Sequence, residues 1–345
     1  METGISIYFS SGWKYNQEII EKAKRAHVRH AFTSMHIPEE DGSDYRKNAI
    51  RLLEACHEAG LDLTIDVDPS TPEKLGLKSM EDLLDLGVHS LRLDYGFDDS
   101  DVVELSKQFR LVWNASTVSY DDVQRWNALG VDISKFKACH NYYPKPYTGL
   151  SLSKVADINS RLKASGFTTE AFVPGNKDYR GPLKEGLPTV EEHRHRNNIL
   201  LNMLELYDAN CDVVYIGDCD IEDEDWDRIR DLSDGFIRLP SPDLNDQKFK
   251  LKVMHDRPDS SDYVIRAVES RLWDRVESIH PNNTIDMEAG SICISNELYL
   301  RYEGELEICR KPRSRDDRVN VIGHVDPNDL VYLPYIKDGM GFMFV

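Results

Sequence analysis

The chain is 345 residues long, 40% hydrophobic and 30% charged, with a formal net charge of −19. This balance fits a globular protein with room for one large domain and a smaller one, and it excludes a disordered chain. So acidic a chain has no basic face for nucleic acid, and an anionic substrate must be met by a local cluster of Arg, His and backbone N–H groups.

The first two-thirds alternates short β-rich runs with helical periodicity. Ile5–Phe9 reads as a strand ending at Ser10-Ser11-Gly12, and a helical pattern follows from Tyr15 to Ala26. Ala31–Met35 and Leu61–Val67 are the next two strands, separated by a helix over 43–59 that Gly60 closes as a C′ glycine. Ser90–Tyr95, Arg110–Asn114, Phe136–His140, Ala171–Val173 and Asp212–Ile216 continue the series. Helical segments ending at Gly87, Gln108, Leu129, Ala164 and Leu232 lie between and after them, and another helix is expected after Thr189, with Glu192 as its capping-box partner. Eight strand–helix units in succession predict an α/β fold of the (β/α)8 TIM-barrel type. A doubly wound open sheet is the alternative; the absence of GxGxxG after the first strand weighs against it and against a nicotinamide cofactor.

Leu239–Asn245 has the Pro-rich, polar composition of a linker, which places a barrel domain over 1–238 and a second domain over 246–345. In the second domain Tyr263–Val276 is expected to be a helix. Ser291–Ile294, Leu298–Tyr302, Leu306–Cys309, Val319–Ile322 and Gly341–Val345 read as short strands of a small β-barrel-like domain. The six cysteines (Cys56, Cys139, Cys211, Cys219, Cys293, Cys309) lack CxxC spacing, which suits reduced packing thiols better than a zinc site. The N-terminal stretch has no basic segment ahead of its strand pattern, and no apolar run is long enough to span a bilayer. A cytoplasmic protein with no membrane partner is the expectation.

Active sites of such barrels lie at the C-terminal ends of the strands. There the sequence places Ser10, Thr33-Ser34, Asp66 and Asp68, Arg92 and Asp94, Asn114 and Ser116, His140-Asn141, Asn176 and Asp218. Strand alternation sharpens the choice. Thr64, Asp66 and Asp68 oppose Leu63, Ile65 and Val67, and Arg92 and Asp94 oppose Leu91 and Leu93. With the apolar face against the helices, Asp66, Arg92 and Asp94 point to the barrel axis, where charges require pairing or a ligand. An interstrand salt bridge alone would also explain Arg92 and Asp94. The long stretch from Thr168 to Arg194 adds Glu185, and it concentrates Gly and Pro in the manner of a shaped active-site loop. Asp66, Asp94, Glu185 and Asp218 converging on one rim suit acid–base or nucleophilic work on a sugar, and equally Mg²⁺ ligation. His140, Asn141 and Tyr143 begin a polar-aromatic surface suited to a sugar ring. Arg180, His193 and Arg194 are the basic groups near the rim, for a phosphate or for pairing with Glu185, Glu191 and Glu192.

The strings DVDP (66–69), LRLDYGF (91–97), WNAS (113–116), CHNYYPKPYTGLS (139–151), RGPLKEGLPTVEEHR (180–194), IGD (216–218), IHPNNT (279–284), NELYLRYEGELEI (296–308) and RVNVIGHV (318–325) resemble the bacterial 6-phospho-N-acetylmuramidases. The resemblance covers nearly the whole chain. It implies a TIM barrel followed by a cyclophilin-like β-domain, and a cytoplasmic glycosidase of cell-wall recycling without a cofactor or metal. The implied partner is a phosphorylated amino-sugar disaccharide, N-acetylmuramic acid 6-phosphate linked to N-acetylglucosamine, cleaved to its two sugars. Position 68 departs from the family, with Asp in place of a small hydroxyl residue, so Asp68 is left out of the catalytic set. On this reading Asp66, Asp94 and Glu185 are the catalytic carboxylates, with Asp218 in reserve. Glu185 would protonate the departing oxygen. Ser10, Arg92, Asn114, His140, Asn141 and Tyr143 would contact substrate, and Arg180 and Arg194 its phosphate. A metal-dependent phosphosugar isomerase or hydrolase with Asp66, Asp94, Asp218 and His140 as ligands is one competing reading; a non-catalytic phosphosugar-binding protein is the other. Oligomeric state is left open.

Overall fold

A computed structural model describes residues 1–34, 45–273 and 277–345. The chain divides into two compact units, Met1–Ser233 and Asp234–Val345.

In the first unit eight parallel strands close into a barrel in sequence order. They are β1 (Glu2–Ser6), β2 (His30–Ser34), β3 (Asp62–Val67), β4 (Ser90–Leu93), β5 (Arg110–Asn114), β6 (Lys137–Cys139), β7 (Thr168–Val173) and β8 (Val213–Ile216). The ladder closes through β1 against β8, with Gly4 opposite Tyr215. The α-helices are α1 (Trp13–Arg25), α2 (Tyr45–Glu58), α3 (Thr71–Leu75), α4 (Asp99–Leu105), α5 (Tyr120–Ala128), α6 (Leu152–Ala164), α7 (Ile199–Asp208) and α8 (Asp223–Ser233). This is the (β/α)8 barrel that the alternating pattern predicts. Short polar residues start several helices. Asp98 and Asp101 form a reciprocal capping box on α4, as do Ser119 and Asp122 on α5.

The inward faces of the strands build the barrel core from Phe32, Val112, Cys139, Phe172, Val213 and Tyr215. Tyr215 explains Gly4. A Cβ at position 4 would lie 2.3 Å from the tyrosine ring, so only glycine lets the ring cross the barrel axis. Below this layer, at the N-terminal end, the interior is charged. Lys137 Nζ lies 2.9 Å from Glu170 Oε1 and 3.7 Å from Asp62, Asp62 also holds Arg110, and His30 pairs with Glu2. These groups pair with one another and pin the strand ends opposite the mouth.

Some expectations fall outside the described residues and others are corrected. The described part of α2 begins at Tyr45, so positions 43 and 44 lie outside the described residues. Thr189 caps no helix: its hydroxyl donates to Asn141 O at 3.0 Å and accepts the Phe172 N–H at 3.0 Å, tying loop to strand. A single 3-10 turn follows at Glu191–His193, and α7 starts only at Ile199, where Asn198 accepts the Leu201 N–H. In the second unit the helix expected over 263–276 is a strand, β11 (Val264–Arg266), followed by a 3-10 turn at Val268–Arg271; residues 274–276 lie outside the described ones.

The second unit contains two small sheets. One orders β10 (Met254–His255), β15 (Gly341–Phe344) and β9 (Phe236–Leu239). The other orders β11, β13 (Leu306–Cys309), β12 (Ser291–Ser295) and β14 (Val319–His324). Phe236–Leu239 pairs in parallel with β15. Leu298–Tyr302, read as a strand, belongs to a 3-10 segment, Glu297–Tyr302, kinked at Leu300. Cys293 and Cys309 are buried with their sulfurs 3.8 Å apart, and all six cysteines are free thiols.

Candidate active site

Strand β3 delivers Asp66 to the barrel mouth, and Arg92 on β4 is its register partner. Arg92 Nη1 donates to Asp66 Oδ1 at 3.1 Å, and Nη2 donates to Asn141 Oδ1 at 2.5 Å. Burial disfavours the guanidinium's charge, but Asp66 beside it outweighs burial and raises its pKa above the ordinary value. Ser34 Oγ donates toward Asp66 Oδ2 at 3.4 Å. Three strands and the β6 loop thus hold one carboxylate in a fixed orientation with its countercharge.

Two tyrosines complete this cluster: Tyr142, within the polar-aromatic run after His140, and Tyr8, which the sequence does not single out. Tyr142 packs edge-on against Phe32 and Phe172, with centroids 6.4 and 5.2 Å away, and burial raises its pKa against the pull of Arg180. Tyr8 lies flat under Arg180, whose guanidinium carbon is 3.9 Å from the ring centroid, and its hydroxyl donates to Gly217 O. The available signal is parity. Tyr8 falls two residues after the inward-facing Ser6, and Tyr142 directly follows Asn141 in a run of aromatic residues.

Asp218 has a different role. Its Oδ2 accepts the N–H groups of Gly175 and Leu187, both at 2.9 Å, and its Oδ1 accepts the Arg180 N–H at 3.0 Å. Burial raises its pKa, opposed by these three donors and by Arg180. Its oxygens are committed to fastening the β7 loop. The β8 loop and the first turn of α8 beyond it are acidic, with Asp220 and Glu222 followed by Asp223, Glu224 and Asp225, and Lys22 and Lys177 there are taken up by Asp220 and Asp223.

Placement revises two assignments. His140 is fully buried and hydrogen-bonds Asn159 of α6 through Nε2 at 2.9 Å; Asn159 in turn donates to Ala209 O. Cys139 faces the barrel core, so its neighbour His140 faces the helix layer, and it is a core histidine rather than a sugar contact. Arg194 is 2% exposed, and its donors go to Glu191 and to the carbonyls of Lys145, Glu185 and Gly186. That arrangement leaves no fork for a phosphate. The other candidates lie at the rim. Asp94, Glu185 and Ser10 are exposed on the β4, β7 and β1 loops. Asn114 is half-buried and accepts the Ser116 N–H at 2.9 Å, and the Tyr143 N–H donates to Pro188 O at 3.0 Å. Asp68 accepts the Ser70 N–H at 2.7 Å just ahead of α3 and pairs with Lys74. Among the described residues no group of three or more His, Cys, Asp or Glu is arranged to hold a metal. Of the ligand set Asp66, Asp94, Asp218 and His140, the last two are committed elsewhere.

A family model described as 6-phospho-N-acetylmuramidase, N-terminal, matches residues 3–231, and its C-terminal counterpart matches residues 239–345. The chain belongs to the 6-phospho-N-acetylmuramidase family. The family's name carries a glycosidase role and a phosphorylated muramic acid substrate. Among solved structures, a conserved protein of unknown function from Enterococcus faecalis is 30% identical, covers 100% of this chain and 96% of its own, and superposes with a TM-score of 0.74. An uncharacterized protein of B. cereus is 22% identical, with coverages of 100% and 99% and a TM-score of 0.74, a likeness of fold. No protein with curated annotation matches. Within the 6-phospho-N-acetylmuramidase frame, the strings at 66–69, 91–97 and 139–151 supply Asp66, Arg92 and Asn141, the three side chains joined at the mouth.

Proposed function

We propose that this protein hydrolyses N-acetylmuramic acid 6-phosphate–N-acetylglucosamine to its two sugars, as a cytoplasmic step of peptidoglycan recycling. The barrel unit, Met1–Ser233, is the catalytic domain on this reading, and the remainder is a cyclophilin-like β-domain. The observation that carries the proposal is the Asp66–Arg92–Asn141 network at the mouth of a family barrel. A carboxylate whose direction is set by a buried guanidinium is suited to act on an anomeric carbon, and hydrolysis needs a second carboxyl group opposite it.

Glu185, on the loop fastened by Asp218, supplies that second group, and Asp94 flanks the same rim. Glu185 gives its proton to the glycosidic oxygen as the bond from that oxygen to the anomeric carbon breaks. Asp66 either takes the proton of the attacking water or attacks the anomeric carbon first, and the anomer of the first-formed product distinguishes the two courses. Asn141 and Asn114 provide amide groups for sugar hydroxyls and the acetamido group, and Ser10 and Tyr143 line the edge. The phosphate is assigned to Arg180, the arginine at the mouth stacked on Tyr8.

The test is incubation with the phosphorylated disaccharide and with its unphosphorylated twin, following release of N-acetylglucosamine. Cleavage of the phosphorylated form, faster than its twin, is expected. Equal rates on both would remove the phosphate assignment, and no release from either would remove the function.

A further inference from the structure

Among the described residues Tyr147 is the most exposed large hydrophobic side chain, at 93%. It lies on the β6 loop, on the mouth side of the barrel, and its φ is +66°. A bulky side chain rarely adopts this left-handed conformation, which crowds Cβ against the backbone; Gly or Asn normally occupies such positions.

An ion pair with a buried arginine maintains this arrangement. Glu191 accepts the Tyr147 N–H at 2.8 Å on Oε1 and the Gly149 N–H at 2.7 Å on Oε2. Arg194 holds that carboxylate with two hydrogen bonds, from Nε at 2.6 Å and Nη2 at 2.7 Å. The same guanidinium reaches Lys145 O at 3.3 Å on the β6 loop, and Glu185 O and Gly186 O at 3.3 and 3.1 Å on the β7 loop. A Cβ at Gly149 would come within 2.6 Å of Glu191 Oε2, so glycine there admits the carboxylate. Lys184, beside Glu185, is also at positive φ. One ion pair therefore holds two strained loops side by side, one presenting Tyr147 and the other Glu185.

We infer that Tyr147 is a sugar-stacking platform that binds a hexopyranose ring of the substrate at the barrel mouth, positioned by the Arg194–Glu191 pair. This rests on the glycosidase reading. Pyranose rings present an apolar face of C–H groups to an aromatic ring while their hydroxyls stay in water, and a ring held in solvent can offer such a face without rearrangement. The unphosphorylated leaving sugar, N-acetylglucosamine, is the ring this platform takes, because it needs no countercharge.

The test compares Tyr147→Asn, Tyr147→Phe, Tyr147→Trp and Glu191→Gln in the full chain on the phosphorylated disaccharide. Tyr147→Asn is expected to raise KM about tenfold with kcat within about twofold and melting temperature undiminished, since Asn tolerates the backbone conformation. Phe and Trp keep KM near native, and inhibition by free N-acetylglucosamine weakens in the Asn variant but not in these two. Glu191→Gln raises KM likewise, and its effect does not add to that of Tyr147→Asn. An unchanged KM in Tyr147→Asn overturns the proposal, and so does a Phe variant as impaired as Asn. A Glu191→Gln protein that loses stability while keeping its KM overturns the positioning role. If the native protein turns over no phosphorylated disaccharide, the glycosidase reading falls. Calorimetric titration with N-acetylglucosamine then decides separately: binding lost in Tyr147→Asn upholds the platform, and no binding by the native protein overturns it.

Discussion

Asp66 and Glu185 divide the chemistry by where the chain puts them. Asp66 belongs to a strand and is tied to a guanidinium, whereas Glu185 sits exposed on a loop whose backbone is fastened on both sides. Removing either group's acid–base function is expected to lower kcat by about a hundredfold or more. Asp66→Asn and Glu185→Gln, each checked for folding by circular dichroism, test this, and near-native turnover in both would sink the assignment. His140 gives the contrasting case. Its replacement by Ala leaves the Asn159 side-chain oxygen without its partner and opens a space behind β6, so a loss of about 1–3 kcal/mol is expected in urea unfolding. Turnover per folded molecule should stay near native, because the imidazole never reaches the mouth. A large fall in kcat without a fall in stability would restore His140 to the site.

At the scale of elements, the Arg194–Glu191 pair makes the join between the β6 and β7 loops depend on pH. The hydrogen bonds from Arg194 outweigh burial and lower the Glu191 pKa to about 2. A depressed native pKa means the unfolded chain binds more protons in the interval. The stabilisation is therefore complete above the ordinary glutamate value of about 4.3 and is lost as pH falls from there through about 2. Glu205, between His193 and Arg196, is lowered to about 2 as well, and Asp62 below the barrel core is also depressed, so all three act in the same direction. Thermal melts of Glu191→Gln should fall below native at neutral pH, and the gap should narrow below about pH 4.3 and close only near pH 2. Parallel curves across that range would contradict this assignment. The strands were legible in the sequence because runs such as Leu61–Val67 alternate between a helix-facing apolar side and a polar interior side. That same alternation separates Asn141 from His140, and the strand-end reading treated the two together. Thr189 was illegible for a different reason. A Thr three residues before a Glu scores as a cap, but here its hydroxyl is spent between Phe172 and Asn141, a contact set by the closed barrel. The Arg194 assignment failed because charge alone does not distinguish an arginine that binds a ligand from one that holds carbonyls.

For the molecule as a whole, the net charge of −19 opposes a substrate carrying phosphate and carboxylate groups. Repulsion of this kind acts over about a Debye length, roughly 10 Å at 0.1 M salt. Raising ionic strength from low values should therefore lower KM for the phosphorylated disaccharide, with little change in kcat. Steady-state kinetics across a salt series tests this; a KM that climbs steadily with salt would show that the local field of Arg180 dominates the approach instead.

Asp218 fastens its loop through backbone N–H groups alone, at 175, 180 and 187. Such tethering is almost blind to sequence. Proline is barred at 180 and 187 because it has no N–H, and Gly175 is required because a Cβ there would meet Asp220 O at 2.6 Å. The three points divide the loop into two arcs: 176–179, where Asn176, Lys177 and Asp178 are also tied by their side chains to Asp225, Asp223 and Tyr15, and 181–186, whose first four positions can vary in composition while the anchors hold. Such an arrangement makes the loop an exchangeable cassette. Randomising 181–184 while retaining Glu185 is a direct route to glycosidases of altered substrate range on an unaltered barrel.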